Sequence, residues 1–187
     1  MSLGGWSRGA AEPSFADHRR RVPDAPPPEN LEDWETLRAK ALDLPSAFRE
    51  SPVEVRLGDA YDFSDAKKKY EPRQVNWMRV RGALPDDPIV HTAMLVYLTD
   101  RTLLSTAARA HGLPWGKRRS ASLDHAVWIH HPFVRGTHML DQEWMLYASE
   151  SPVAHSARGL IFGGIFQRDG TRIASVAQEA LIRHRRT

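Results

Sequence analysis

The sequence predicts an α+β fold in which an antiparallel β-sheet wraps around a long buried helix. Residues 88–112 form one helical segment that is apolar almost all the way round, and a helix without a polar stripe is normally buried. Strand-like segments lie on both sides of it in the sequence, and four of them follow it with mostly short connections. A meander of strands that must bury such a helix is expected to curve around it.

Composition places the chain among ordinary globular proteins and excludes several kinds of chemistry. Of its 187 residues, 41% are hydrophobic and 26% are charged, which suits one domain with an extension. The absence of cysteine excludes disulfides, thiolate catalysis and cysteine-ligated metal sites. A formal net charge of +3 points to no nucleic-acid partner. Because no signal-like or membrane-spanning run is found, we expect a cytoplasmic protein without membrane insertion.

The first 49 residues differ from the rest of the chain, and we predict that residues 1–49 form a linker-like N-terminal arm. Glycines and the run Pro26-Pro27-Pro28 interrupt regular structure there. One short helix is predicted over residues 31–42, with Asn30 as its N-cap. Residues 50–187 are predicted to form the folded domain.

Two strands are predicted before the long helix. Residues 53–57 alternate between apolar and polar side chains, and residues 74–84 do so less regularly. Trp77 falls on the face of the second strand that also carries arginines, so we expect it to be partly exposed or to contact a neighbouring subunit. The helix is predicted to begin at Pro88 and to end at Gly112, where glycine can adopt the left-handed C′ conformation.

Four strands are predicted after the helix. Asp169-Gly170 is typical of a hairpin turn between the last two of them. A curved antiparallel sheet that holds one long helix is the hotdog architecture, which is therefore the predicted fold. The four strands are predicted over residues 120–131, 143–149, 159–166 and 172–183.

Three polar residues interrupt otherwise apolar patterns. Asp100 lies on an apolar stripe of the helix, where we expect it to be surrounded by apolar groups, and Gln178 lies on the apolar face of the last strand. Ser122 lies on one face of the strand over residues 120–131, but alternation does not decide which face meets the helix. A single inward polar residue is more often a satisfied core group than a catalytic one. If the Ser122 face is the inner one, a carboxylate, a hydroxyl and an amide would converge between helix and sheet.

The histidines give no support to metal or dyad chemistry. Asp124 and His125 are neighbours in a predicted strand, so their side chains should point to opposite faces and cannot form a dyad. His130 and His131 fail as a pair of metal ligands for the same reason. No HxxxH, HExxH or GxGxxG pattern occurs, and we expect neither a metal nor a cofactor.

Several long motifs resemble those of the acyl-CoA thioesterase II family. They include YLTD at residues 97–100, SLDHAVWIH at 122–130 and VAQE at 176–179, and the similarity covers roughly residues 52–183. It corresponds to the C-terminal half of the family's proteins, which are double-hotdog enzymes that hydrolyse fatty acyl-CoA to free fatty acid and CoA. The resemblance implies that Asp100, Ser122 and Gln178 hold and activate the hydrolytic water. Ser122 stands where many members have threonine, so the hydroxyl is retained.

The family carries another hotdog domain before this one, whereas this chain begins with a segment that resembles the family's inter-domain linker. A lone half would leave an unpaired sheet edge and an exposed apolar surface, so we expect a homodimer or pairing with another hotdog domain. The leading interpretation is a thioesterase that acts on acyl-CoA. One alternative is a non-catalytic acyl- or CoA-binding half that needs a partner hotdog domain. Another is a hotdog hydratase or dehydratase, for which His91 stands near the start of the helix.

Overall fold

The computed structural model describes residues 22–43, 51–65, 67–112, 118–133, 135 and 139–184. Four helices lie within these ranges: α1 (Trp34–Leu42), α2 (Pro88–Asp100), α3 (Leu103–Ala108) and α4 (Met139–Gln142). Seven strands lie within them: β1 (Val53–Leu57), β2 (Arg73–Val80), β3 (Arg118–Ser122), β4 (Ala126–Ile129), β5 (Met145–His155), β6 (Arg158–Phe166) and β7 (Arg172–His184).

The described strands form a single sheet in which every pairing is antiparallel. Its order is β1-β2-β5-β6-β7-β3, and β4 also pairs with β7. Helices α2 and α3 pack on one face, called the inner face here, as the α+β prediction requires. None of the helices in the described ranges combines the length and hydropathy needed to cross a membrane. The core between helices and sheet includes Met78, Leu95, Leu98, Leu103, Tyr147, Ile161, Ile165 and Val176.

The prediction of one continuous helix over residues 88–112 is wrong. Helix α2 ends at Asp100, α3 begins at Leu103, and a 3₁₀ turn completes the segment. Two buried side-chain amides from β2 bind Thr102 at the break: Gln74 Nε2 donates to Thr102 O over 2.8 Å, and Asn76 Nδ2 donates to Thr102 Oγ1 over 3.2 Å. These contacts come from residues far away in the sequence, and periodicity within the helix cannot reveal them.

Helix α2 is also not buried on all sides. Leu95 and Leu98 face the sheet and are fully buried, whereas Ile89 is 77% exposed and Tyr97 is 46% exposed. One side of α2 thus packs on the inner face of the sheet, and the opposite side presents apolar side chains to solvent. Its apolar sequence reflects a surface that no other described part of this chain covers.

Residues 22–31 of the arm cover part of the other face of the sheet, called the outer face. Trp77 is buried there and not exposed as expected, because residues 22–31 of the same chain lie over it. Its indole Nε1 donates to Pro26 O over 2.8 Å, which satisfies the polar atom of a buried ring. The cluster beneath the arm contains Trp77, Trp144, Leu146 and Phe166, packed against Val22, Ala25 and Leu31.

Helix α1 then passes the open edge of β1 and reaches the inner side. Its N-cap is Asp33 and not Asn30: Asp33 Oδ1 accepts hydrogen bonds from the backbone amides of Glu35 and Thr36. Asp33 also forms an isolated β-bridge with Arg56 on β1. The Glu35 carboxylate, which is buried, pairs with the guanidinium of Arg101. The arm is thereby attached to the residue that directly follows Asp100.

Candidate active site

Asp100 is the last residue of α2, and its carboxylate receives hydrogen bonds from two strands. Gln178 Nε2 on β7 donates to Asp100 Oδ1 over 2.8 Å, and Ser122 Oγ at the end of β3 donates to the same oxygen over 3.4 Å. The structure therefore brings together the three residues predicted from the sequence. Among the described residues, none donates a hydrogen bond to the second oxygen, Asp100 Oδ2.

The expectation that Asp100 lies among apolar groups is wrong, because its side chain is exposed. Helix α2 rests on the sheet along one side only, and Asp100 ends the helix beside the open surface. A carboxylate placed there keeps its contact with water and avoids the desolvation penalty of a buried charge. Its Oδ2 can therefore accept a proton from a water molecule at the surface of the cluster.

Gln178 occupies the inner face of β7, as the alternation of that strand predicts. It is fully buried, and so are Val176 and Ala180 on the same face. A carboxylate can only accept hydrogen bonds, so the amide NH₂ of Gln178 must be the group that faces Asp100. The amide oxygen accepts no hydrogen bond from the part of the chain that the structure describes. Gln178 thus anchors one carboxylate oxygen from inside the core.

A β-bulge determines which side chains of the predicted strand over residues 120–131 face inward. Ser122 pairs with Ala180 in β3, but Ala126 pairs with Ala177 in β4, so three residues stand opposite two. The side chain of Asp124 replaces a backbone partner, since its Oδ1 accepts from Glu179 N over 2.6 Å. The bulge reverses the alternation, and both Ser122 and His125 consequently contact residues of α2.

Three further polar residues surround the end of α2, and sequence reasoning did not select them. Tyr147 Oη donates to Thr99 O over 2.9 Å, and His125 Nε2 lies 2.8 Å from Thr99 Oγ1. Burial raises the pKa of Tyr147 well above its ordinary value, and the Asp100 carboxylate adds to the rise, so the phenol remains a donor. Thr99 and His125 lie inside the YLTD and SLDH motifs, which could have indicated them; alternation gives no signal for Tyr147.

An apolar surface adjoins the carboxylate. Part of it comes from the solvent-facing side of α2 and part from the bulge that follows Ser122. A hydrocarbon chain would be desolvated against such a surface, next to a group able to activate water. Its exposed members near the carboxylate are Val96, Tyr97 and Leu123, and Ile89 extends it to the first turn of α2.

The surroundings of His91 and His130 do not support a hydratase site or a metal site. His91 is 2% exposed and its ring packs against Phe133, with 5.6 Å between ring centroids. His130 is exposed on β4's C-terminal side, where its Nε2 lies 2.6 Å from Ser175 Oγ. Across the described ranges, no group of three histidine, cysteine, aspartate or glutamate side chains could hold a metal ion.

Known proteins resemble this chain in both sequence and fold. The sequence profile of the acyl-CoA thioesterase family matches residues 47–181. Acyl-coenzyme A thioesterase 8 of Mus musculus is 35% identical over 185 residues, which cover 92% of this chain and 56% of that protein. The crystal structure of an acyl-CoA thioesterase II, TesB2, from Mycobacterium marinum superposes with a TM-score of 0.66 at 32% identity, covering 93% of this chain and 60% of that one.

The fold prediction is confirmed by a more distant structure as well. A protein of unknown function with a hot dog fold from Alicyclobacillus acidocaldarius gives a TM-score of 0.66 at 16% identity, covering 94% of this chain and 59% of that one. The chain spans rather more than half of the length of these proteins. Since the family profile covers most of the domain, the chain belongs to the acyl-CoA thioesterase family.

Proposed function

We propose that this chain hydrolyses fatty acyl-CoA thioesters to free fatty acid and CoA. The observation that carries the proposal is the carboxylate of the exposed residue Asp100: Gln178 and Ser122 hold one oxygen, and the other oxygen accepts no hydrogen bond from the described residues. The names of the relatives support an acyl-CoA as the substrate. A cytoplasmic location, as expected from the sequence, stays part of the proposal.

In the proposed reaction Asp100 acts as general base toward a water molecule. As the water oxygen bonds to the thioester carbonyl carbon, one water proton passes to Asp100 Oδ2. The resulting tetrahedral intermediate then releases CoA as the C–S bond breaks, and the proton is returned to the departing sulfur. Ser122 and Gln178 keep the carboxylate in one orientation, so little reorganisation is needed when the water is deprotonated.

The apolar side of α2 supplies a surface for the acyl chain in this proposal. Val96 and Tyr97 are exposed within about a turn of Asp100, Leu123 is exposed next to Ser122, and Ile89 extends the surface to the other end of α2. Burial of alkyl groups against such a surface is favourable by about 25 cal/mol per Å². The same surface suits a second hotdog domain, which would enclose the acyl chain between the helices of the two domains. We therefore propose that the acyl group lies between this domain and a partner of the same fold.

A second candidate function is a non-catalytic acyl- or CoA-binding half. The openness of the site favours it, because Asp100 and the apolar side of α2 are both exposed in the single chain. Activity could then require a partner domain that shields the water from bulk solvent. A hydratase is disfavoured, because the His91 ring is buried against Phe133 and lies away from the open cluster.

Release of CoA from a medium-chain and a long-chain acyl-CoA, followed with a thiol reagent, separates these functions. The cysteine-free chain contributes no background. We expect turnover by the wild type and a loss of about 10²–10⁴-fold in kcat for Asp100→Asn, since the amide keeps the shape but cannot take the proton. Asp87→Asn is the matched control, because Asp87 caps the other end of the same helix and asparagine caps equally well.

The outcomes assign the function as follows. Turnover that collapses in Asp100→Asn but persists in Asp87→Asn supports the thioesterase. Turnover unaffected by Asp100→Asn contradicts the proposed mechanism. A folded wild type that binds acyl-CoA without turnover would instead favour the non-catalytic half.

A further inference from the structure

Thr99, the residue directly before Asp100, has a hydroxyl whose hydrogen bonds determine the state of a neighbouring histidine. The side chain is fully buried, and Oγ1 lies 2.6 Å from Val96 O and 2.8 Å from His125 Nε2. A hydroxyl has one proton, and the backbone carbonyl of Val96 can only accept. The Thr99 proton therefore goes to Val96 O, and the second contact requires that His125 Nε2 be the donor.

The other nitrogen of this ring is consistent with that assignment. His125 Nδ1 is buried and has no hydrogen-bond partner within the described ranges. A proton on Nδ1 would leave a buried donor unsatisfied, which costs more than leaving an acceptor lone pair there. The geometry thus favours the tautomer with its proton on Nε2. Since that proton is used by Thr99, the ring in this tautomer has no second N–H to donate to the Asp100 carboxylate.

From these contacts we propose that His125 is a positioning residue, which holds Thr99 and so fixes the Asp100 carboxylate against Gln178 and Ser122. The proposal rests on the function proposed above. Helix α2 ends at Asp100, so its last turn lacks the backbone bonds that a continuing helix would supply. His125 holds that turn through the Thr99 side chain, and Tyr147 holds it through the Thr99 carbonyl.

The β-bulge gives His125 this role. It places Ser122 and His125 on the same side of the chain although they are three residues apart. Ser122 then contacts Asp100 while His125 contacts Thr99, so one short segment sets both the carboxylate and the hydroxyl beside it. Without the bulge, strand alternation would direct His125 to the outer face.

Two substitutions of His125 differ only in where they place an amide donor. The side-chain NH₂ of His125→Gln reaches about as far as Nε2 and can donate to Thr99, whereas that of His125→Asn reaches only as far as Nδ1. We expect His125→Gln to keep kcat within about threefold, and His125→Asn to lower it about tenfold with KM nearly unchanged, the effect of losing one hydrogen bond. Thr99→Val, which loses the acceptor, should match His125→Asn, and Thr99→Ser should resemble the wild type.

Two readouts separate positioning from a general loss of stability. The loss in the double variant Thr99→Val/His125→Asn should equal that of either single variant, because both remove the same contact. The side-chain amide resonances of Gln178 report its bond to Asp100 without any turnover. The chemical shifts of these Gln178 resonances should change in His125→Asn and stay the same in His125→Gln. A ¹⁵N spectrum of the wild type should show His125 protonated on Nε2.

Three results would overturn the proposal: an unchanged Gln178 resonance in His125→Asn, losses that multiply in the double variant, or a His125 Nε2 that carries no proton. Failure of the proposed function is a different result, namely a wild type without turnover or an active Asp100→Asn. The two NMR measurements then still decide whether His125 positions the carboxylate.

Discussion

Gly163 on β6 lies directly beneath the ring of Tyr147, which in turn holds the carbonyl of Thr99. A Cβ atom at Gly163 would lie 2.6 Å from Tyr147 Cε2 and 2.9 Å from its Oη. The ring is fully buried and cannot move aside without breaking its hydrogen bond. We predict that Gly163→Ala lowers the free energy of unfolding by about 1–3 kcal/mol and also lowers kcat. Urea unfolding and CoA release measure the two effects.

Gly164→Ala is the matched control, one residue along the same strand. The three atoms nearest to a Cβ there all belong to the Arg172 guanidinium, the first at 2.8 Å. The end of this flexible side chain can move away, at the cost of its 3.1 Å hydrogen bond to Gly163 O. We expect Gly164→Ala to keep kcat and most of the stability. Equal losses in kcat from the two variants would contradict the importance of the Tyr147 contact.

At this scale the sequence identified some residues and could not place others. Asp100 and Gln178 stand out because each breaks an apolar pattern, and Gln178 lies on the predicted face. Alternation does not decide which face carries Ser122, because the bulge that orients it involves the Asp124 side chain, which accepts a backbone hydrogen bond. Local alternation assumes an unbroken ladder, so it could not foresee that His125 faces inward.

At the scale of secondary-structure elements, a cluster of charged side chains joins the arm to the sheet. Glu54 on β1 accepts from Arg56 Nε over 2.8 Å and from Arg79 Nη2 over 2.9 Å. Arg56 in turn donates to Pro28 O, at 2.6 Å, within the arm. Arg81 Nη2 donates to Asp33 Oδ2, at 2.7 Å, at the start of α1. The buried carboxylate of Glu54 thus orients arginines that hold the arm.

This cluster makes part of the stability depend on pH. Burial alone would raise the pKa of Glu54, but hydrogen bonds from Arg79 and Arg56 outweigh it and keep the pKa below its ordinary value of 4.5. Since the folded pKa is the lower one, the stabilisation is present above about pH 4.5 and is lost as the pH falls through the folded value. We predict that Glu54→Gln is less stable than the wild type by about 1–2 kcal/mol at pH 7, and that the difference shrinks toward pH 3.

Urea unfolding of both proteins at the two pH values measures this difference. Glu32→Gln is the control, because the exposed pair between Glu32 and Lys40 should contribute little at either pH. A gap between Glu54→Gln and the wild type that stays constant down to pH 3 would show that the ionised carboxylate is not its source.

The long helix shows how element-scale prediction can be right in kind and wrong in extent. Its existence and its packing on a curved antiparallel sheet followed from composition and periodicity. Its division into α2 and α3 did not. At the division, Gln74 and Asn76 of β2 donate hydrogen bonds to the backbone oxygen and the hydroxyl of Thr102, and such long-range contacts leave no periodic signal. That division matters for the proposed function, since it ends the helix at Asp100.

At the scale of the whole molecule, the two edges of the sheet differ, because one is covered by the arm and the other is open within the described ranges. The arm covers β1 through the bridge between Asp33 and Arg56, whereas β4 pairs with β7 alone among the described strands. The C-terminal end of α2 contacts Ser122 and His125 at that uncovered end, and Trp128 on β4 is exposed. An open edge with adjacent apolar surface is a template for pairing with another sheet, so a second hotdog domain is the partner we propose.

The last prediction concerns self-association through this edge. Pairing of β4 with β4 of a second copy would place the two Trp128 side chains on one face, near the two-fold axis of the dimer. We predict that the wild type elutes with the mass of a dimer. Trp128→Glu and Trp128→Lys should each be monomeric, because like charges then face each other. Light scattering after gel filtration measures the mass.

Mixing the two variants supplies the control, since opposite charges would meet across the same pairing. We expect the equimolar mixture of Trp128→Glu and Trp128→Lys to recover the dimer. Added salt should weaken the association of the two variants, because it screens their opposite charges. A wild-type mass equal to one chain would contradict self-association, and dimers of both single variants would contradict pairing at β4. Because the apolar side of α2 lies by this edge, CoA release should follow the same order as the recovered mass. Turnover by a monomeric variant at the wild-type rate would show that one domain suffices for the chemistry.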